Sequence, residues 1–192
     1  FVPLTATELV ARINKIPRVN LAQLPTALEF APNISKELNI NLYIKRDDYT
    51  ALAFGGNKTR HLEFIMAKIL SGKYDCILTG AASQSNFCRQ AVAAANKLNL
   101  DSYLVLMHGI KGKLMQGNFL LYNILGAHVD VVEGEDLEEI PMHLDKKYHE
   151  LIKEGRKPLI IYGGFEKEDT VLAGISYANA MAEIDLQMKE HN

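Results

Sequence analysis

The chain has 192 residues, 48% of them hydrophobic and 23% charged, and a formal net charge of −2. That is room for one good-sized domain or two small ones of ordinary globular composition. The charge is too close to neutral to mark a nucleic-acid or anionic-membrane partner, and no apolar run approaches the roughly 18 residues that span a bilayer. The start carries no pattern of a secretory leader, and because it is Phe1 rather than Met, the true N-terminus is expected to lie upstream. The two cysteines, Cys76 and Cys88, read as reduced thiols of a core, which suits a cytoplasmic protein.

In chain order, 41–46 reads as a strand, with Leu42 and Ile44 on one face and Tyr43 and Lys45 on the other. From Lys58 to Leu70 the spacing is helical, Leu62, Ile65, Met66 and Ile69 making one stripe, and Ser71-Gly72 ends it. A short apolar strand, 76–79, leads through a loop at 80–83 into an alanine-rich helix over 84–99. Strands follow at 103–107, 128–132 and 159–162, and helices at 114–125, 137–153 and 170–187. Strand and helix thus alternate with short connections, the pattern of a parallel sheet covered by helices on both faces. No repeat, linker or low-complexity segment interrupts it.

In such sheets ligands gather at the carboxyl ends of the strands, among helix N-termini. Three turns lie there: Gly55 to Lys58, Thr79 to Asn86, and Tyr162 to Phe165. None is a Gly-x-Gly-x-x-Gly or Walker loop, so a nucleotide site has no support. A lysine just after two glycines, at the mouth of a helix, can be held in a crevice and used as an amine nucleophile; a solvated surface lysine is the plain alternative. The middle turn brings Ser83, Gln84, Ser85 and Asn86 to a helix start whose free N–H groups favour a carboxylate. Ordinary capping by Ser83 or Ser85, worth about 1 kcal/mol, competes with that reading. His143 and His149 are six apart and off any zinc pattern, so no metal site is assigned. Glu133, Glu135, Asp136, Glu138 and Glu139 suit a helix start facing solvent, and the scattered methionines read as core filler.

Three segments together resemble a known family: Ile44-Lys45-Arg46-Asp47-Asp48, Ala53-Phe54-Gly55-Gly56-Asn57-Lys58-Thr59-Arg60, and Gln84-Ser85-Asn86 followed by Arg89-Gln90. They are similar to the D-cysteine desulfhydrase and 1-aminocyclopropane-1-carboxylate deaminase family, pyridoxal-phosphate enzymes of the tryptophan-synthase-β-like fold (fold type II). The resemblance runs over nearly all of the chain, through Gly163-Gly164 and Gly174-Ile175-Ser176-Tyr177. It implies that Lys58 forms the Schiff base with pyridoxal 5′-phosphate and that Asn86 bonds the cofactor's ring oxygen. It also implies that Ser85 sits beside the substrate as a catalytic or carboxylate-binding group, and that the backbone N–H groups from Ser85 to Phe87 cradle the carboxylate.

Two positions depart from the family pattern. Phe87 stands where a polar residue is usual, and His61 where a second lysine is usual, which weakens the charge offered to the phosphate pocket. Length is the larger departure. The family's glycine-rich phosphate loop, the partner of the pyridine nitrogen and the tyrosine shaping the site would all lie beyond Asn192, so a piece of a longer protein is expected, with the C-terminal half missing. On the family plan, 1–56 is the N-terminal segment of the larger domain, 57–165 the smaller α/β domain, and 166–192 the start of the returning larger-domain segment. The implied activity is D-cysteine desulfhydrase-like α,β-elimination on a small amino acid, giving a 2-oxo acid and ammonia. Aminocyclopropane carboxylate deamination is the alternative, and a truncated non-catalytic paralogue that binds a partner subunit is the alternative of another class. The full-length protein is expected to be a homodimer.

Overall fold

The computed structural model describes residues 3–108, 114–134, 136–161 and 167–190. The expected turn at Tyr162 to Phe165, with its Gly163-Gly164 pair, lies outside the described residues.

Four strands, β3 (Cys76–Ala82), β4 (Asp101–Met107), β5 (His128–Val132) and β6 (Pro158–Ile160), form one parallel sheet in the order β5-β4-β3-β6. Alternation along the strands explains the layers, because successive side chains leave opposite faces of a sheet. Cys76 and Leu78 of β3, with Tyr103, Val105 and Met107 of β4, pack against Ile140, Leu144 and Leu151 of one helix, α6 (Ile140–Lys153). The intervening residues face the other way: Ile77 meets the core of α3 (Lys58–Ser71) and α4 (Asn86–Lys97), and Leu104 and Leu106 meet α4 and α5 (Gly117–Ile124). Both faces being apolar, the strands read as continuous hydrophobic runs and the result is a three-layer α/β arrangement, as the alternation predicts.

α3 is the most enclosed helix. The expected stripe of Leu62, Ile65, Met66 and Ile69 is fully buried, but so are Arg60, His61 and Glu63 on its other sides. Part of the reason is a second body of structure, of which the periodicity reads only β2. It comprises α1 (Ala6–Ile13), opened by a capping box between Thr5 and Glu8, and an antiparallel pair of β1 (Leu28–Phe30) and β2 (Tyr43–Lys45). Between those strands lies α2 (Pro32–Leu38), with proline at its start, where a missing N–H costs nothing. α1 and α3 both pack on the 22-residue α7 (Lys167–Met188). The β2 strand alternates as expected, yet Tyr43 and Lys45 turn inward and Ile44 stays exposed.

Charge complementarity holds this body to α3. Arg60, only 2% exposed, donates through Nε and Nη2 to both Asp47 oxygens at 2.8 and 2.9 Å, and through Nη1 and Nη2 to both Glu183 oxygens at 2.9 and 2.8 Å. Lys45 joins Glu183 at 3.0 Å. Burial alone would penalise the Arg60 charge, but the two carboxylates outweigh it and hold its pKa above the ordinary value. Glu63 is likewise spent inside, accepting from the N–H groups of Leu21 and Ala22 at 2.9 and 3.0 Å.

Candidate active site

Two turns converge at the carboxyl end of β3. The first carries Lys58, and its backbone is unusual: Ala51, Ala53 and Phe54 all have positive φ, at 73°, 45° and 67°. Non-glycine residues rarely adopt such angles, and they persist where the surroundings over-determine them. The surroundings here are specific. Buried Thr50 Oγ1 accepts from the Gly56 N–H at 2.9 Å and donates to the Gly56 carbonyl at 3.0 Å. A Cβ on Gly55 would lie 1.8 Å from the Asp48 carbonyl oxygen, and one on Gly56 would lie 2.5 Å from Gln90 Nε2, so the glycine pair permits close approach on both sides.

Lys58 is the first residue of α3 and is half-buried; its amine has no hydrogen bond or ion pair among the described residues. Asn57, just before it, donates from Nδ2 to the Tyr177 hydroxyl of α7 at 2.6 Å. Thr59, just after it, donates from both N–H and Oγ1 to Gln90 Oε1, each at 2.8 Å. Gln90 Nε2 in turn donates to the Asn86 carbonyl at 3.1 Å. The lysine turn is therefore tied on one side to α7 and on the other to the first turns of α4.

The second turn runs from β3 into α4. Ser83, fully buried, donates its N–H to the Met107 carbonyl at 2.7 Å and its hydroxyl to the His108 carbonyl at 3.2 Å, fixing the loop across two strand ends. Ser85 is the N-cap of α4, its Oγ accepting from the Cys88 N–H at 3.2 Å. That settles the helix-capping role without excluding a chemical one, because the hydroxyl proton stays available to donate. The Ser85 N–H, however, is spent on the Ala82 carbonyl at 3.0 Å. The expected cradle from Ser85 to Phe87 therefore narrows to the N–H groups of Asn86 and Phe87, which have no acceptor among the described residues, as first-turn donors do not. Below the turn, the buried Tyr122 hydroxyl donates to the Ser85 carbonyl at 2.8 Å.

Asn86 is exposed but not free to turn. Its Oδ1 accepts from Arg89 Nη1 at 3.3 Å and from Asn118 Nδ2 at 2.9 Å, which leaves Nδ2 unengaged among the described residues. The Phe87 side chain turns into the core against α3, and its ring lies 6.3 Å from that of buried His61. The two residues that depart from the family pattern thus pack together, and Phe87 offers the site its backbone only. Gln90, Arg89, Asn118 and Tyr177 complete the arrangement. Arg89-Gln90 stood in the quoted motif without a role, whereas Asn118, at the start of α5, carries no sequence signal of its own. With Lys58, Arg89 and a helix N-terminus together, the site attracts anions.

A family model described as pyridoxal-phosphate dependent enzyme matches residues 19–192. The chain belongs to that family. A Pyrococcus horikoshii protein provisionally named a 1-aminocyclopropane-1-carboxylate deaminase is 38% identical over 181 residues, covering 94% of this chain and 54% of that protein. A D-cysteine desulfhydrase of Klebsiella pneumoniae is 34% identical over 183 residues, covering 93% of this chain and 54% of that one. Among solved structures, an ACC deaminase homologue superposes with a TM-score of 0.84 at 38% identity, over 93% of this chain and 53% of that one. The chain spans about half the length of the relatives it matches. Threonine deaminase isoform 2 from Solanum lycopersicum, at 20% identity and a TM-score of 0.68, shares the fold. The architecture is that of the fold-type II pyridoxal-phosphate enzymes, as the motifs implied.

Proposed function

We propose that Lys58 is the residue to which the cofactor is covalently attached in a pyridoxal-phosphate lyase or deaminase acting on a small amino acid. The observation that carries this is the half-buried Lys58 amine, unpaired among the described residues and held beside the α4 N-terminus by the Thr59–Gln90 bonds. The residues present fit the cofactor. Lys58 offers an amine with no carboxylate on it among the described residues, Asn86 offers Nδ2 to the ring oxygen, and Arg89 beside it is positive. When bound, the cofactor supplies an electron sink for charge developing on the amino acid. The chain's own groups do the rest: the Asn86 and Phe87 N–H groups hold the substrate carboxylate, the Ser85 hydroxyl donates beside it, and the Lys58 amine carries the proton taken from the substrate.

D-cysteine desulfhydrase-like α,β-elimination is the reading put first. The second, aminocyclopropane carboxylate deamination, is favoured by the 38% identical relative of that name and would use the same lysine and the same carboxylate turn. Incubating the full-length protein with each amino acid separates them. Sulfide and pyruvate from D-cysteine support the first, 2-oxobutanoate from the cyclopropane acid supports the second, and neither product with cofactor bound would overturn both.

Segments 1–56 and 166–192 are assigned to the larger domain and 57–165 to the smaller, supported by the packing of α1 on α7 and the Lys45–Glu183 pair. Cytoplasmic location is supported by the two buried free thiols. Homodimerisation of the full-length protein rests on the family resemblance alone.

A further inference from the structure

We propose that Arg89 is a positioning residue that, with Asn118, sets the direction of the Asn86 carboxamide and ties the Lys58 turn to the Asn86 turn. The inference rests on the function proposed above and adds to it a residue with a defined effect on the bound cofactor.

An exposed asparagine at a helix start ordinarily samples several rotamers. Asn86 is held instead, because both Arg89 Nη1 and Asn118 Nδ2 donate to its Oδ1. Arg89 also donates from Nη1 to Asn118 Oδ1 at 3.1 Å and from Nη2 to the Gly55 carbonyl at 2.8 Å, three residues before Lys58. Asn118 is fixed in turn, its N–H donating to Gln84 Oε1 at 2.9 Å and its Nδ2 to the Gln84 carbonyl at 2.8 Å. One planar guanidinium thus spans two turns and a third helix start, which no flexible ammonium could do with the same geometry.

The charge on Arg89 calls for explanation as much as its reach. All of its acceptors are neutral, its Nε is buried without a partner, and no carboxylate pairs with it among the described residues. Burial draws its pKa below the ordinary value, with only Tyr122 opposing. A bridge between neutral oxygens needs no charge, and structural arginines in enclosed places are usually paired. An uncompensated cation behind the Asn86 carboxamide polarises it, making Nδ2–H a stronger donor to an anionic ring oxygen. With the cofactor held on Lys58, the same cation, 2.8 Å from the Gly55 carbonyl of that turn, would disfavour added positive charge there.

The test uses the full-length protein, with pyridoxal phosphate affinity by equilibrium dialysis, the pH midpoint of the visible cofactor band, and thermal melting as three separate readouts. Arg89→Gln keeps donors but loses charge, and is expected to weaken affinity about tenfold and raise the midpoint by about one pH unit. Arg89→Lys keeps the charge and loses the fork, so affinity falls while the midpoint stays near wild type. Asn118→Ala, which guards against misfolding of the Arg89 variants, should weaken affinity about threefold at an unchanged midpoint. Variants that melt earlier yet keep wild-type affinity and midpoint would overturn the proposal and leave the proposed function standing. A wild-type protein with no cofactor band would sink both.

Discussion

Replacing Glu183 by alanine is expected to destabilise the protein by about 3 kcal/mol, a value worked from the Arg60 network. Glu183 accepts from Arg60 at 2.9 and 2.8 Å, from Lys45 at 3.0 Å and from Asn179 at 3.1 Å. Removing one partner of a buried pair costs about 3–5 kcal/mol, because the other charge is left enclosed. The lower end applies here: Arg60 keeps both Asp47 oxygens, and Lys45 keeps the Thr26 carbonyl and Gln187. Glu183→Gln retains one acceptor oxygen and should lose about half as much. Urea unfolding followed by circular dichroism measures this, with the midpoint falling at unchanged slope. Asp185→Ala, two residues on, is the control. Its i,i+4 pair with Lys189 is exposed on both sides, so its loss should cost less than about 0.5 kcal/mol. A Glu183→Ala loss no larger than that of the control would refute the claim that this network joins α7 to the helix that begins at Lys58.

Gly56→Ala places a Cβ 2.5 Å from Gln90 Nε2 at a φ of +133°, and should cost about 1–3 kcal/mol in urea unfolding. It should also lower cofactor affinity by breaking the Thr59–Gln90 link; an unchanged affinity would contradict that link's role. Burial pushes the Cys76 thiol up to about 12 and the Cys88 thiol up to about 11, so neither should react with a chromogenic disulfide at pH 8 before the protein unfolds. Prompt titration of either thiol in the native protein would refute this. Burial raises the Asp47 carboxyl, but the bonds from Arg60 and Thr26 outweigh it and leave its pKa below the ordinary value. A depressed folded pKa gives stability that is complete above the ordinary carboxylate range and is lost as pH falls through the folded value. Stability should therefore decline below about pH 4, and Asp47→Asn should flatten that decline, as acid titration of the urea midpoint would reveal.

The sheet and its helices were legible because their signals are long or repeated. The α3 stripe from Leu62 to Ile69 covers two turns of a 14-residue helix, and β5 begins and ends at the residues its alternation marks. Of the three-residue strands, β2 shows in the alternation at 41–46 and β6 overlaps the strand read at 159–162, whereas β1 carries too short a pattern to be read. α1 is short: Thr5 and Glu8 spell a capping box and Leu9, Val10 and Ile13 share a face, but eight residues give barely two turns of pattern. For the site, the family motifs nominate Lys58, Ser85 and Asn86 as candidates, and the structure gathers them at the end of β3. What bonds them together was not legible. Asn118 reaches Asn86 from a separate helix 32 positions away, and Glu183 reaches Arg60 across 123. Such pairings depend on how the layers stack. Ser85 shows the ambiguity that remains in a sequence: the capping and the functional readings need the same residue in the same place, and the cap bond to the Cys88 N–H is compatible with both.

The claim that Lys58 carries the cofactor is tested most directly by borohydride reduction of the full-length protein loaded with pyridoxal phosphate, followed by peptide mapping. The account predicts a stable pyridoxyl adduct on Lys58, absent from Lys58→Ala along with the visible band. An adduct on another lysine, or a band that survives in Lys58→Ala, would contradict it.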